Sequence, residues 1–173
     1  MDVALIALAE EHIPAITAAC SDWQELSRHG APYWRPRSPA ELRRKIAATA
    51  GPTPATEYTF VISRNGRLVG ECSLHAIDWR NRAAQVGVCL WQPSHRGQGL
   101  GRAATQQIIG WADEHLDLAR LEAWILRDNE ASLKLFTSLG FTHEGTLRGR
   151  YVQSGQRHDM HVLGKLLTPA SCA

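Results

Sequence analysis

The sequence contains no apolar run of the roughly 18 residues that a membrane-spanning helix needs. It also lacks a positively charged leader followed by an apolar core at its start. Lys and Arg are scattered rather than massed, and the formal net charge is only +2, so no nucleic-acid surface is expected. These absences predict a cytoplasmic protein that binds neither membrane nor nucleic acid.

Cysteine is scarce and shows no metal-binding spacing. The four residues Cys20, Cys72, Cys89 and Cys172 form no CxxC pair, and no histidine pair stands at zinc-site intervals. No metal is therefore expected, and reduced thiols are the default for an intracellular chain. Cys72 and Cys89 lie in strand-like segments, where a free cysteine behaves as a small buried hydrophobe.

The length of 173 residues is typical of one domain that buries its own core. Apolar residues make up 44% of the chain and charged residues 21%, which is ordinary for a globular protein. The sequence contains no repeat and no low-complexity segment. We therefore expect a single domain over residues 1–173.

The most informative stretch is Ala84–Ala103, in which an apolar run ends at Pro93 and a glycine-rich turn leads into a helix-compatible segment. Glycines at 97, 99 and 101 let the backbone curl so that successive N–H groups face one point. The first turn of the following helix adds unpaired N–H groups and a positive dipole end. This combination predicts a nest for a phosphate or pyrophosphate.

Two common nucleotide loops are excluded at this position. No Lys-Ser or Lys-Thr follows the glycines, as a P-loop requires, and the spacing differs from the three-glycine dinucleotide fingerprint. The remaining pattern is Arg-x-x-Gly-x-Gly, from Arg96 to Gly101. An ordinary glycine-rich strand-to-helix turn is the structural alternative.

Apolar periodicity predicts the other elements. Helices are expected at Glu10–Cys20, from the Ser38 cap to about Thr49, at Leu100–Leu116 and at Asn129–Leu139. Strands are expected at Val3–Leu8, Tyr58–Ile62, Leu68–Ile77, Ala84–Trp91, Ala119–Leu126, Phe141–Arg148 and Arg157–Leu166. The order indicates an α/β sheet of mixed direction with hairpins at both ends.

An irregular segment from Ser21 to Pro39 retains Trp23, Tyr33 and Trp34. Aromatic side chains in a loop are candidates for the wall of a ligand pocket. Their alternative role is to pin the loop to the core.

At Arg96–Gly101 the chain resembles the GNAT superfamily of acetyl-CoA-dependent N-acetyltransferases, whose pyrophosphate loop follows the fourth strand. The segment Asn129–Phe136 followed by Leu139-Gly140-Phe141 resembles the family's Asn, short helix, Leu-Gly-Phe segment. The residues that resemble the Rim-type branch, which includes acetylases of ribosomal-protein N-termini, are Glu144-Gly145, Arg148, Gly155 and Asp159. The resemblance extends from about Tyr58 to Leu167.

This resemblance implies a GNAT fold, with a mixed, mostly antiparallel sheet that splays at the acetyl-CoA site and is flanked by helices. The pantetheine arm is expected between the strand before the glycine loop and the strand after the long helix. The residues expected to bind acetyl-CoA are Leu90, Trp91, Gln92, Arg96, Gly97, Gln98, Gly99, Leu100, Gly101, Arg102, Asn129, Ser132 and Lys134.

Acetyl transfer requires a neutral amine, because an ammonium has no lone pair. A backbone N–H near Leu90 is expected to stabilise the oxyanion. The family's usual Tyr acid is replaced here by Phe136, which leaves Ser132 as the predicted partner of the departing thiol.

The usual strand Glu is also absent, since Gln85 stands in its place. Glu71 is the first candidate for the base because it interrupts an apolar strand beside the expected cleft. His75, Glu144, Tyr151 or a water chain are the alternatives.

The predicted function is direct transfer of acetyl from acetyl-CoA to a primary amine, either a protein N-terminus or a small molecule such as an amino-acid-like compound or antibiotic. A polyamine or aminoglycoside acceptor would favour an acidic pocket, and the early segment offers only Asp22, Glu25 and Glu41. A non-catalytic acyl-CoA-binding sensor is the alternative from another class, suggested by the replacements at Gln85 and Phe136. A monomer or homodimer is expected.

Overall fold

One seven-stranded sheet organises the computed structural model, which describes residues 2–27 and 36–167. The strands are β1 (Val3–Ala7), β2 (Tyr58–Arg64), β3 (Arg67–Asp78), β4 (Ala83–Leu90), β5 (Arg120–Leu126), β6 (Thr142–Gln153) and β7 (Gln156–Leu166). The helices are α1 (Ile13–Ala19), α2 (Trp23–Leu26), α3 (Pro39–Ala48), α4 (Leu100–Leu116) and α5 (Glu130–Ser138).

The sheet has the strand order β1-β2-β3-β4-β5-β7-β6 and consists of two antiparallel parts. Strands β1 to β4 form a meander, and β5, β7 and β6 form the second part. The two parts meet where β4 runs parallel to β5, and this pairing extends only over Ala83–Gln85 and Arg120–Glu122. Beyond Gln85 the two strands separate, which produces the splay that the family resemblance implies.

Helix α4 supplies the crossover that two neighbouring parallel strands require. It begins directly after Gly99, and its buried face includes Ala104, Ile108 and Ala112. These residues pack on one face of the sheet together with α5, whose Phe136 meets Phe141 edge to face at 5.1 Å. The other face is covered by α1 and α3 through a separate cluster that includes Ile16, Leu42 and Val61. The gap between β4 and β5 therefore lies in the plane of the sheet, with helices packed on both of its faces.

The predicted elements are confirmed in their order, with one additional short helix and small differences at the ends of others. The first helix begins as a 3-10 turn over Glu10–His12 before α1. A short helix, α2, lies inside the segment predicted to be irregular, because Asp22 caps it by accepting a hydrogen bond from the N–H of Glu25. Tyr33 and Trp34 lie outside the described residues.

The terminal hairpin is longer than predicted. Strand β6 continues past Arg148 to Gln153, since Ser154 and Gly155 both adopt positive φ and close a tight turn. The predicted C-terminal stop of α5 at Gly140 is confirmed by its φ of +84°. Cys72 and Cys89 are buried in the sheet, as expected, and Cys172 lies outside the described residues.

Candidate active site

A cavity of about 700 Å³ occupies the gap between β4 and β5. At one end it is lined by the glycine loop and the N-terminal turns of α4 and α5. At the other end it is lined by α3 and polar side chains of β2 and β3. We call these two parts the loop end and the strand end.

The glycine loop has the curled backbone that the sequence predicts. Gly97 and Gly99 have φ values of +72° and +78°, a conformation that costs a residue with a side chain about 1–2 kcal/mol. Helix α4 starts with Gly99 as its N-cap, so the N–H groups of its first turn have no helical partner. The loop end therefore presents backbone donors and a positive helix end to the cavity.

Gly101 is required by close packing rather than by its backbone angle. A Cβ at this position would lie 3.2 Å from Cδ1 of Leu135 on α5. The missing side chain allows α4 and α5 to approach each other beside the loop.

Some side chains in the predicted cofactor segment are bound to other parts of the protein rather than left open to a ligand. The Arg96 guanidinium donates to both carboxylate oxygens of Glu25, at 2.8 and 3.2 Å, and to the Leu90 carbonyl at 3.2 Å. Gln98 donates to the Ser94 carbonyl and accepts from Arg64. Trp91 is buried in the cluster beneath α1 and α3. Among the predicted cofactor residues, Trp91, Gln92 and Gln98 do not line the cavity.

The backbone of β4 is oriented toward the gap at alternate residues. The N–H of Trp91 donates to the Val69 carbonyl on the β3 side. Because hydrogen-bonding direction alternates along an antiparallel strand, the N–H groups of Val88 and Leu90 face the opposite side, where β5 has diverged. This edge offers strand-like hydrogen bonds to an extended ligand.

The start of α5 completes the loop end. The Asn129 side chain accepts a hydrogen bond from the N–H of Ser132 at 3.1 Å, and both residues line the cavity. Lys134 lines its rim and pairs with Glu130 at 3.3 Å in an exposed contact. Phe136, 3% exposed, belongs to the core and lines the cavity, and its hydrocarbon side chain has no proton to donate.

The strand end has a polar floor. Glu71, Ser73 and His75 alternate along β3 and therefore face the same side of the sheet. Thr59 of β2 and Gly87 of β4 lie on either side of Ser73, and Gln85 lies opposite His75. Helix α3 covers this floor and directs Glu41, Arg44 and Lys45 toward the cavity.

Glu71 is held by an ion pair at one edge of the floor. Both of its carboxylate oxygens accept from Nη1 of Arg37, at 2.9 and 3.0 Å, while Nε of Arg37 donates to Glu41 at 3.0 Å. Arg37 and Glu71 are 8% and 5% exposed. The cluster joins the start of α3 to the sheet and fixes the orientation of Glu71.

His75 has a pKa lowered from its usual 6.5, chiefly because burial disfavours the imidazolium and secondly because the Lys45 cation lies nearby. Its Nδ1 lies 3.4 Å from Oγ of Ser73. The neutral imidazole, which has one ring nitrogen with a lone pair, is therefore the favoured form at pH 7.

Two candidates for the base lie away from the cavity. Tyr151 on β6 does not line it, and burial raises the pKa of its phenol. Glu144 accepts hydrogen bonds from Arg120, which lowers the pKa of its carboxyl. Neither residue is brought together with the loop end.

Four residues of the strand end were not predicted from the sequence: Arg37, Lys45, Thr59 and Ser73. Ser73 had one signal in the sequence, the alternation of polar residues along β3. The other three residues come from separate elements and had none. In the described ranges 2–27 and 36–167 no group of three or more His, Cys, Asp or Glu side chains could hold a metal ion. Within the same ranges, no helix combines the length and apolar character needed to span a membrane.

Residues 2–142 match the family model described as an acetyltransferase (GNAT) domain. An uncharacterized N-acetyltransferase p20 from Bacillus licheniformis is 30% identical over 112 residues, which are 65% of this chain and 62% of that protein. A putative ribosomal N-acetyltransferase YdaF from Bacillus subtilis (strain 168) is 33% identical over 96 residues, or 56% of this chain and 52% of the relative. The chain thus spans somewhat over half the length of these curated relatives.

Solved structures share the fold over nearly the whole chain. A RimL ribosomal L7/L12 alpha-N-protein acetyltransferase in complex with coenzyme A superposes with a TM-score of 0.86 at 23% identity, covering 95% of this chain and 94% of the other. A spermidine N-acetyltransferase from Vibrio cholerae, in complex with CoA and spermine, has a TM-score of 0.81 at 20% identity and covers 95% of each chain. At these identities the likeness concerns the fold.

Proposed function

Since the chain belongs to the GNAT acetyltransferase family, as its motifs predicted, we propose that it transfers an acetyl group from acetyl-CoA directly to a primary amine. The observation that carries this proposal is the continuity of the cavity. Its loop end suits a pyrophosphate and an extended arm, and its strand end suits a polar acceptor. Both substrates can therefore be bound at once, as direct transfer requires.

The loop end fits acetyl-CoA through features of the backbone. The N–H groups from Gly97 to Arg102 would hold the pyrophosphate, and the free edge of β4 near Leu90 would pair with the pantetheine amides. Asn129, Ser132 and Lys134 would line the arm from α5. Arg96 supports the loop through Glu25 and the Leu90 carbonyl. Bound acetyl-CoA would supply the thioester acetyl group.

The transfer requires a lone pair on the amine and a proton for the departing sulfur. The amine nitrogen attacks the thioester carbon, a C–N bond forms, the C–S bond breaks, and the amine proton leaves. An N–H near Leu90 would stabilise the oxyanion. Ser132 is our candidate for the hydroxyl that donates to the thiolate.

Two residues on β3 are candidates for the group that removes the amine proton. Glu71 lines the cavity, but both of its oxygens already accept hydrogen bonds from Arg37. His75 lies on the same floor and is neutral at pH 7. We therefore favour His75, acting directly or through a water, with Glu71 as a positioning residue. Tyr151 and Glu144, the other side-chain candidates from the sequence, are disfavoured because they do not line the cavity.

The acceptor class proposed is a protein N-terminus or a small-molecule amine. Names of similar proteins include a putative ribosomal N-acetyltransferase and a spermidine N(1)-acetyltransferase, so homology alone leaves both classes open. We further propose that the chain acts in the cytoplasm as a single domain over residues 1–173. We also propose that it is a monomer or a homodimer. Oligomeric state differs among proteins of this fold, since one solved neighbour is dodecameric.

The direct test is CoA release followed with a thiol reagent. Purified protein is mixed with acetyl-CoA and, in separate reactions, with N-terminal peptides, amino acids, spermidine and aminoglycosides. Release that saturates with one class supports the transferase, and mass spectrometry of the product identifies the acetylated amine. Saturable acetyl-CoA binding with no release from any amine would instead support the non-catalytic sensor.

A further inference from the structure

We propose that the acceptor carries a negatively charged group close to its amine, and that the Lys45 ammonium binds this group. The inference rests on the proposed acetyltransferase function and narrows its substrate class. An amino acid with an acidic side chain and a peptide whose second residue is acidic are acceptors of this kind.

The first support is the position of Lys45. Glu41, Arg44 and Lys45 are spaced by three and four residues on α3, so they share the helix face over the polar floor. Lys45 is half-buried and lies near His75, where its charge helps to lower the pKa of the imidazole. The ammonium is thus close to the group that we propose as the base.

The second support is the distribution of ion pairs at the strand end. Glu41 and Glu71 share Arg37, and Glu57 lies 3.5 Å from Arg44. In the described part of the chain, by contrast, Lys45 makes no ion pair and no hydrogen bond. Among the charged side chains that line this end, Lys45 is therefore the cation available to a ligand.

The third support is an unused hydroxyl on the floor. Oγ1 of Thr59 is buried, has no hydrogen-bond partner among the described residues, and belongs to a residue that lines the cavity. A buried hydroxyl without a partner destabilises the protein, and a ligand acceptor atom would remove that cost. A carboxylate could accept from both Thr59 and Lys45.

The same arrangement disfavours a polycation. A second ammonium on the acceptor would meet Lys45, while the carboxylates of this end are already paired with guanidinium groups. Like charges brought together in a partly desolvated cavity repel more strongly than in water. Spermidine is therefore expected to be among the poorest acceptors.

The test uses pairs of amines that differ by one charge but have similar amine basicity: glutamate against glutamine, and the peptide amide Ala-Asp-Ala against Ala-Asn-Ala. With the wild-type protein, kcat/KM is expected to be about tenfold or more higher for at least one acidic member than for its amide, an effect of the size expected for a charge-assisted hydrogen bond. Lys45→Gln is expected to abolish that preference, chiefly through a higher KM for the acidic member; its effect on the basicity of His75 acts on both members of a pair and cancels in their ratio. Arg43→Gln, on the exposed side of the same helix, is the matched control and is expected to keep the preference.

The inference would be overturned if the wild type had equal kcat/KM for the acidic and the amide member of both pairs. A preference for the acidic member that survives Lys45→Gln would overturn it as well. If no amine releases CoA, the proposed function fails separately. Calorimetric titration of the same pairs into protein saturated with CoA then decides the role of Lys45. Tighter binding of the acidic member that depends on Lys45 would support the anion site, and indifference to charge would overturn it.

Discussion

The two ends of the cavity are built by different means. The loop end depends on backbone conformation, with left-handed glycines, an open helix start and the unpaired edge of β4. The strand end depends on side chains that come from α3, β2, β3 and β4. A substrate whose binding groups are shared by a whole family can be held by backbone, whereas the choice of acceptor can change with a few side chains.

The largest effect is expected from a side chain placed in the loop. Gly99→Glu should weaken acetyl-CoA binding by 100-fold or more, because a carboxylate would point at the expected pyrophosphate position and a Cβ would strain the positive φ. Isothermal calorimetry measures the loss.

Gly155→Glu is the matched control. Gly155 has a similar φ of +76°, but it lies in the β6–β7 turn, where no atom is within 4 Å of the position a Cβ would take. Both variants should lose about 1–2 kcal/mol of stability, and Gly155→Glu should bind acetyl-CoA normally. Near-normal binding by Gly99→Glu would show that the loop does not hold the pyrophosphate.

At the strand end, the main effect expected from a substitution is a loss of protein stability. Arg37→Met removes the guanidinium shared by Glu41 and Glu71 and should lower the free energy of unfolding by about 3–5 kcal/mol, as for other buried pairs. Arg43→Met breaks only an exposed pair with Glu10 and should cost about 1 kcal/mol or less. Urea denaturation compares them. A small loss for Arg37→Met would mean that the cluster does not anchor α3.

Ser132→Ala tests whether a side chain also matters at the loop end. We expect kcat to fall roughly 100-fold, at the lower end of the range for general acid catalysis, with little change in acetyl-CoA affinity. Thr137→Ala, on the exposed part of the same helix, should leave both quantities unchanged. An unchanged kcat for Ser132→Ala would assign the thiol's proton to another donor.

The smallest effect concerns pH. The pKa of His75 is lowered in the native state. As the pH falls below 6.5, the imidazole is therefore protonated more readily in the unfolded chain than in the native chain, which favours the unfolded state. The stability that neutral His75 contributes is complete above that pH and decreases below it. His75→Gln should therefore lose less stability than the wild type between about pH 7.5 and 5.5. Identical losses in urea titrations would contradict the buried, neutral imidazole.

The sequence was sufficient for the order of elements and for the loop end, because glycine spacing and hydrophobic periodicity are local signals. The splay of β4 from β5 followed from the family resemblance, and the structure confirms it. Three local features were missed where a cap or turn decided the outcome: the 3-10 form of the first helical turn at Glu10, the short helix capped by Asp22, and the turn at Ser154 that lengthens β6.

The strand end was predictable only in part. Glu71 and His75 were recognised as polar residues on an apolar strand, but the ion pair that occupies Glu71 comes from Arg37, which is 34 residues away in the chain. Tyr151 was considered because of its chemistry, and its distance from the cavity depends on how the β6–β7 hairpin lies in the sheet. Contacts between remote elements leave no periodic signal in a single sequence.

Amide hydrogen exchange with and without CoA tests the division of the cavity most directly. We expect CoA to slow exchange at the amides of residues 97–102 and at Val88 and Leu90, and to leave the amides of α3 unaffected. Protection of α3 without protection of the glycine loop would contradict it.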